Sequence, residues 1–241
     1  ALSYIPLRLS RGCVNTCAYC AAPYLCPHFE ERDAERAAAE LLAFCARTGA
    51  RDIAFYDDAL LANAERRLLP FVRRVCAVRR DLRWHTPNGM HLRLITDELA
   101  GVLRAAGFVT LRFGLESANY ARIVSTGAKY AQRDVARCVH ALLRAGFDPR
   151  TVGLYILMGL PGQSLEEVRD TICFVRDTCG ITAKLTEYAP VPHSALWSAA
   201  VADSTAPLAD EPLWHNNSLL PLRSRVFTSD AIAELRALAA R

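Results

Sequence analysis

Six short strand-like segments recur along the chain with helical patterns between them, and this alternation constrains the fold more than any other feature. They are Tyr4–Leu9, Asp52–Tyr56, Leu82–Thr86, Thr110–Gly114, Thr151–Leu157 and Ala183–Tyr188. Val135, Cys138, Val139, Leu142 and Leu143 repeat at the 3.6-residue period and predict one of the intervening helices. Ser164 and Glu167 form a capping-box pattern at the start of another. Gly49, Gly107, Gly146 and Gly180 each follow a helical stretch, where a left-handed residue is wanted. Pro70 suits the first turn of a helix. Strands alternating with helices predict an α/β fold with a parallel sheet and right-handed crossovers. The alternation alone does not separate an open barrel from a doubly wound sheet. In both, chemistry collects at the carboxyl ends of the strands.

Composition narrows the class. With 241 residues, 52% of them apolar, the chain can bury one sizeable core and is not a disordered segment. No apolar run reaches membrane-spanning length, and the N-terminus has no signal-peptide pattern. Nine cysteines are an odd count in a large, helix-rich chain, which argues against a disulfide-stapled secreted scaffold. Cys45, Cys76, Cys138 and Cys173 fall on apolar helix faces and read as small buried hydrophobes, with Cys179 at a helix end. A reducing cytoplasm is expected.

The formal charge is +4, and Lys129 and Lys184 are the only lysines. The cluster Arg73, Arg74, Arg79, Arg80 and Arg83 reads as a solvated helix face, so neither a nucleic-acid partner nor a membrane is expected. His85 and His140 read as core or helix residues, while His91, His193 and His215 lie near loops. The chain starts without Met, and we expect it to be a piece of a longer protein. Pro192, Pro207, Pro212 and Pro221 mark a change after the last strand. The expected division is a core over 1–197 and a C-terminal extension over 198–241 that packs on it.

The chemistry is concentrated just after the first strand, in CVNTCAYC: Cys13, Cys17 and Cys20. Three thiolates on a tight loop can hold three irons of a cubane cluster and leave the fourth iron open. Cys26 and His28 lie close behind. With the first three cysteines they offer the main alternative, a tetrahedral structural zinc site; a scaffold that holds an iron–sulfur cluster without radical catalysis is a further one.

The Cys-x3-Cys-x2-Cys spacing, preceded by Ser10-Arg11-Gly12 and with Tyr19 before the last cysteine, resembles the radical S-adenosylmethionine superfamily. That resemblance implies a partial (β/α)6 TIM-type barrel. It also implies a 4Fe–4S cluster on Cys13, Cys17 and Cys20, and S-adenosylmethionine held against the open iron. Reductive cleavage to a 5′-deoxyadenosyl radical is the chemistry implied. Later segments extend the likeness. Asp57-Asp58 replaces the Gly-Gly-Glu-type motif that meets the cofactor's amino group, and Asp57 is preferred of the two. Gly114-Leu115-Glu116-Ser117 resembles the loop that faces the ribose or amino acid end. Met158, Gly159 and the following Leu160-Pro161-Gly162 resemble the apolar strand and turn beside the adenine, and Val191 the closing segment. Lys129 reads as a surface lysine with an alternative role toward the cofactor carboxylate.

The Asp-Asp pair and the Asn216-Asn217-Ser218 tail look most like members that carry an N-terminal cobalamin-binding domain. This implies methylation of a small molecule or peptide, with cobalamin held outside these residues. An RNA methylthiotransferase-like reaction is the alternative. The resemblance further implies an electron donor such as flavodoxin or ferredoxin.

Overall fold

The computed structural model describes residues 4–127, 131–210 and 224–240. The strands are β1 (Ile5–Leu7), β2 (Ser10–Arg11), β3 (Glu30–Glu31), β4 (Asp52–Phe55), β5 (Arg83–His91), β6 (Phe108–Glu116), β7 (Val152–Met158) and β8 (Thr182–Glu187). The helices are α1 (Ala22–Leu25), α2 (Ala34–Thr48), α3 (Leu68–Cys76), α4 (Asp97–Ala105), α5 (Tyr120–Ser125), α6 (Gln132–Arg144), α7 (Leu165–Cys173), α8 (Trp197–Asp203) and α9 (Ser229–Ala239).

Six strands share one sheet in the order β1-β4-β5-β6-β7-β8, with β1 and β8 at its two ends. The pairings β1–β4, β4–β5 and β7–β8 are parallel, in registers such as Ile5↔Ile53, Ile53↔Trp84 and Leu154↔Ala183. All six predicted strands are present. This strand order, with helices in the crossovers, is that of an open six-unit (β/α) barrel. β2 and β3 form a separate antiparallel ribbon, with Ser10 opposite Glu31 and Arg11 opposite Glu30.

Asn88-Gly89 is a turn signal in sequence, yet β5 continues through both residues to His91. Pairing with β4 ends at Ala54↔His85, so Pro87 lies beyond the stretch paired with that strand. The Asn88 amide then donates to the Asp57 carbonyl at 3.4 Å.

The residues fall into two compact units, one of 4–14, 26–113 and 137–152, the other of 15–25, 114–127, 131–136, 153–210 and 224–240. The first unit centres on Phe55, Phe71, Trp84 and Phe108. Phe55 stacks on Trp84 at 5.5 Å between centroids and on Phe108 at 5.9 Å. The Trp84 indole N–H donates to the Ala106 carbonyl at 2.9 Å, which satisfies its one polar atom. Each such buried ring stabilises the fold by roughly 1.5–3 kcal/mol. The helix predicted from Val135 is α6; Val135, Cys138, Val139 and Leu142 are buried and Leu143 is half-buried. Cys45 and Cys138 are buried as expected, Cys76 and Cys173 only partly. His85 is a strand residue, bonded to Asp52 at 2.9 Å and Thr110 at 2.8 Å.

In the second unit Leu157, Leu160, Tyr188, Ala200 and Leu208 form a buried cluster. The Ser164 hydroxyl caps α7 by accepting from the Glu167 N–H at 3.1 Å. The Glu167 carboxylate is engaged by Arg122 and Ser117 instead of serving as a cap partner. Arg236 and Glu234 of α9 pair with Glu187 at the end of β8 and Arg169 of α7. No helix among the described residues is long and apolar enough to cross a membrane.

Candidate cofactor site

Cys13 belongs to the first unit. The chain leaves β1, buries Leu9 completely, and enters the β2–β3 ribbon that closes the base of the cysteine loop. Gly12 has φ +79°, and a Cβ there would lie 2.5 Å from the His28 carbonyl oxygen. Only glycine meets both demands. The Cys13 sulfur lies 3.8 Å from the Asp58 carbonyl oxygen.

Asp57 and Asp58, adjacent in sequence, behave differently. Asp57 is buried; Asp58 is exposed. Both Asp57 oxygens accept from the Leu9 N–H at 3.0 Å, and Oδ1 accepts from the Ser10 hydroxyl at 2.6 Å. Burial pushes the Asp57 carboxyl up from its ordinary value, against the pull of these donors and of Arg67. Arg67 is itself 2% exposed. Its guanidinium donates to the carbonyls of Ala59 (3.1 Å), Leu60 (2.9 Å) and Ala62 (3.1 Å) and to Glu31 (3.3 Å). The segment after β4 is therefore gathered around one buried cation, which also binds the ribbon strand facing Ser10 and Arg11. Sequence reasoning missed Arg67. A lone arginine among many carries no signal of its burial.

Cys17 and Cys20 belong to the second unit. Ala18, between them, is held on both sides: its N–H donates to Thr126 O and its carbonyl accepts from the Leu196 N–H, both at 3.0 Å. The Cys20 N–H donates to Cys17 O at 3.0 Å, forming a tight turn, and α1 begins two residues on. The Ala22 N–H donates to the Cys20 sulfur at 3.4 Å. The Tyr24 and His193 rings stack at 3.8 Å.

Tyr19 packs against the Leu157–Tyr188 cluster, and its hydroxyl donates to Glu116 Oε1 at 3.3 Å. Glu116 adopts a left-handed backbone, φ +67°, which is costly for a residue with a Cβ. A Cβ on Gly114 would lie 2.5 Å from Glu116 Oε1, so glycine makes room for the carboxylate. Leu115 is fully buried, and the Ser117 hydroxyl donates to Glu167 at 3.0 Å. Each position of the Gly-Leu-Glu-Ser run thus has a physical reason. Desolvation pushes the Glu116 carboxyl up to about 7, with the Tyr19 hydroxyl opposing it.

The Gly159–Gly162 turn is built by residues that sequence reasoning passed over. Gln163 is buried; its carbonyl oxygen accepts from Gly159 N–H (2.8 Å) and Leu160 N–H (3.1 Å), and its amide donates to Leu157 O (3.0 Å). Arg122 donates to the carbonyls of Pro161 (2.9 Å) and Gly162 (3.0 Å) while paired with Glu167. Met158 is fully buried, Gly159 has φ +91°, and Val191 is half-buried, its carbonyl accepting from Ser194. Lys129, His215 and Asn216-Asn217-Ser218 lie outside the described residues.

The nine cysteines are thiols, and no disulfide is present. No three His, Cys, Asp or Glu side chains among the described residues converge on a single metal ion. A tetrahedral zinc ion holds its sulfurs about 3.8 Å apart, given Zn–S bonds of about 2.3 Å. A cubane binds each thiolate to a different iron and spaces them more widely. The Cys26 sulfur accepts from the Arg11 guanidinium at 3.4 Å. Three thiols within eight residues of sequence are the donor chemistry that an iron–sulfur cubane requires.

Fold and site together define a class: an α/β protein whose first strand delivers a three-thiol cofactor loop. The profile of the Radical SAM superfamily matches residues 7–175, and the chain belongs to that superfamily. An uncharacterized methyltransferase of Pyrococcus horikoshii is 25% identical over 229 residues, covering 94% of this chain and 46% of that protein. The radical S-adenosylmethionine methyltransferase TsrM of Kitasatospora setae, solved with tryptophan substrate and aza-SAM, matches with a TM-score of 0.74. The identity is 17%, covering 98% of this chain and 51% of that one. The same enzyme with cobalamin and a [4Fe-4S] cluster matches with a TM-score of 0.73 at 18% identity, covering 99% and 52%. These structures share the fold. The chain spans about half the length of the relatives it matches.

Proposed function

We propose that this chain is the core of an enzyme that cleaves S-adenosylmethionine reductively and uses the product to methylate, or otherwise modify, a small molecule or peptide. Membership of the superfamily and the pinned Cys13–Cys20 loop carry this reading. Cys13, Cys17 and Cys20 hold a 4Fe–4S cluster, which when bound supplies the electron for cleavage.

The chain's own residues then have separable tasks. Tyr19 and Glu116 form the polar wall that receives the ribose or amino acid end of S-adenosylmethionine. Asp57 and Asp58 shape the segment that meets its amino group, with the exposed Asp58 facing outward. Met158, Gly159 and Val191 line the adenine side, and the Gln163 lock keeps that turn rigid. The apolar cluster behind Tyr19 excludes water from the cofactor. Residues 198–241 serve as an extension of this core.

The methylation outcome is supported by the methyltransferase relatives. Cobalamin, bound by a domain outside this chain, is supported by the cobalamin complex of TsrM. A flavodoxin- or ferredoxin-like donor in the cytoplasm supplies the electron.

The test is anaerobic reconstitution with iron and sulfide, followed by incubation with dithionite and S-adenosylmethionine. Release of 5′-deoxyadenosine by wild type, and its loss in Cys13→Ala, Cys17→Ala and Cys20→Ala, is the expected result. Turnover that survives those substitutions would defeat the reading.

A further inference from the structure

We propose that Asp57 is a positioning residue whose buried carboxylate fixes the entry to the cysteine loop. This rests on the cluster reading above and adds a specific division of labour within the Asp-Asp pair.

The geometry comes from one compact unit. Asp57 ends the segment after β4, and Leu9 and Ser10 end the segment after β1. These two crossing points lie side by side because β1 and β4 are paired through Leu7↔Phe55. Beyond that pair both strands stop, and the Tyr56 N–H makes one last bond, to Leu7 O at 2.8 Å. The Asp57 side chain then takes over from the backbone. It accepts from the Leu9 N–H on both oxygens and from the Ser10 hydroxyl. Cys13 follows three residues after Ser10.

A carboxylate is the right group at this point. Ionised, it only accepts hydrogen bonds, and here two donors converge on it. An amide of the same shape would turn an N–H₂ toward the Leu9 N–H or the Ser10 hydroxyl, and one bond would become a donor–donor contact. Burial of the charge is offset by the cation next door: Arg67 draws in the carbonyls of Ala59, Leu60 and Ala62 and reaches Glu31, which pairs with Ser10 across the ribbon. Asp57, Ser10, Glu31 and Arg67 thus bracket the start of the loop from two sides. Asp58 is left exposed, with its carbonyl toward the Cys13 sulfur.

The experiment uses the full chain and three variants. Asp57→Asn keeps the shape and removes one acceptor. Ser10→Ala removes the 2.6 Å bond without touching Asp57. Leu235→Ala, in α9, is the control for general loss of stability. Hydrogen exchange of the cluster-free protein is read over the peptide containing Leu9. The electron paramagnetic resonance spectrum and iron content are read after reconstitution. We expect exchange at Leu9 to quicken about tenfold in Asp57→Asn and less in Ser10→Ala. Both should also show an altered cluster spectrum, or a share of three-iron cluster absent from wild type. Leu235→Ala should change neither readout.

If Asp57→Asn matches wild type, or only matches Leu235→Ala at equal loss of melting temperature, the positioning role is wrong. If wild type itself takes up no iron, the cluster reading fails and this role falls with it. A wild type that loads normally beside an indistinguishable Asp57→Asn removes the positioning role alone. Should Asp57→Asn not fold, Ser10→Ala carries the same comparison.

Discussion

The hydroxyl of Tyr19 donates to Glu116 at 3.3 Å, joining a residue of the cysteine loop to the carboxylate at the end of β6. Glu116 reaches that bond from a left-handed backbone and with its carboxyl raised from 4.5 to about 7. Glu116 is half-buried, and the Tyr19 hydroxyl supplies one long hydrogen bond to its carboxylate.

The raised value predicts a pH dependence of stability. At pH below about 4.5 Glu116 is protonated in both folded and unfolded chains. As pH rises from there toward about 7, the unfolded chain ionises this group and the folded chain resists. Glu116 therefore costs stability progressively across that window and no more above it, a loss of roughly 1–3 kcal/mol. Urea denaturation at pH 5 and pH 8 should show wild type losing more stability than Glu116→Gln over that interval. Tyr19→Phe removes a bond that favours the ionised form, so its loss should extend to higher pH.

Gly12→Ala should prevent the loop from closing. The added Cβ meets the His28 carbonyl at 2.5 Å and the backbone is left-handed, so strain and clash add. We expect about 2–4 kcal/mol of destabilisation, read by thermal unfolding, together with poor iron uptake. Gly49→Ala, where nothing lies within 4 Å of the new Cβ, is the control and should cost about 1 kcal/mol.

Gln163→Ala should loosen the turn beside the proposed adenine side. It removes three hydrogen bonds and leaves the buried N–H groups of Gly159 and Leu160 without that acceptor. The expected cost is about 2–4 kcal/mol in stability. Equilibrium dialysis should show weaker S-adenosylmethionine binding while the cluster content stays at the wild-type level.

Particular residues show what could be read from sequence. The Cys13–Cys20 spacing is legible because cluster ligation is local, and the six strands because their apolar pattern is local too. β5 continuing past Asn88-Gly89 is not, since the Asp57 carbonyl that takes up the Asn88 amide comes from the segment after β4, distant in sequence. The two aspartates are equivalent as letters; burial against Leu9 and Ser10 makes Asp57 structural and leaves Asp58 exposed. Arg67 and Gln163 are invisible for the same reason. Each is a polar side chain buried among backbone carbonyls and amides that only the folded chain brings together. The β2–β3 ribbon is two residues long on each side, too short for any periodicity.

The most direct measurement is the iron and sulfide content of the anaerobically reconstituted chain, read with its reduced electron paramagnetic resonance spectrum before and after S-adenosylmethionine is added. The account predicts about four irons and four sulfides per chain. It also predicts a cubane signal that shifts when the cofactor binds, and loss of both when Cys13, Cys17 or Cys20 becomes alanine. A colourless chain, stoichiometric zinc, or a spectrum that ignores S-adenosylmethionine would contradict it.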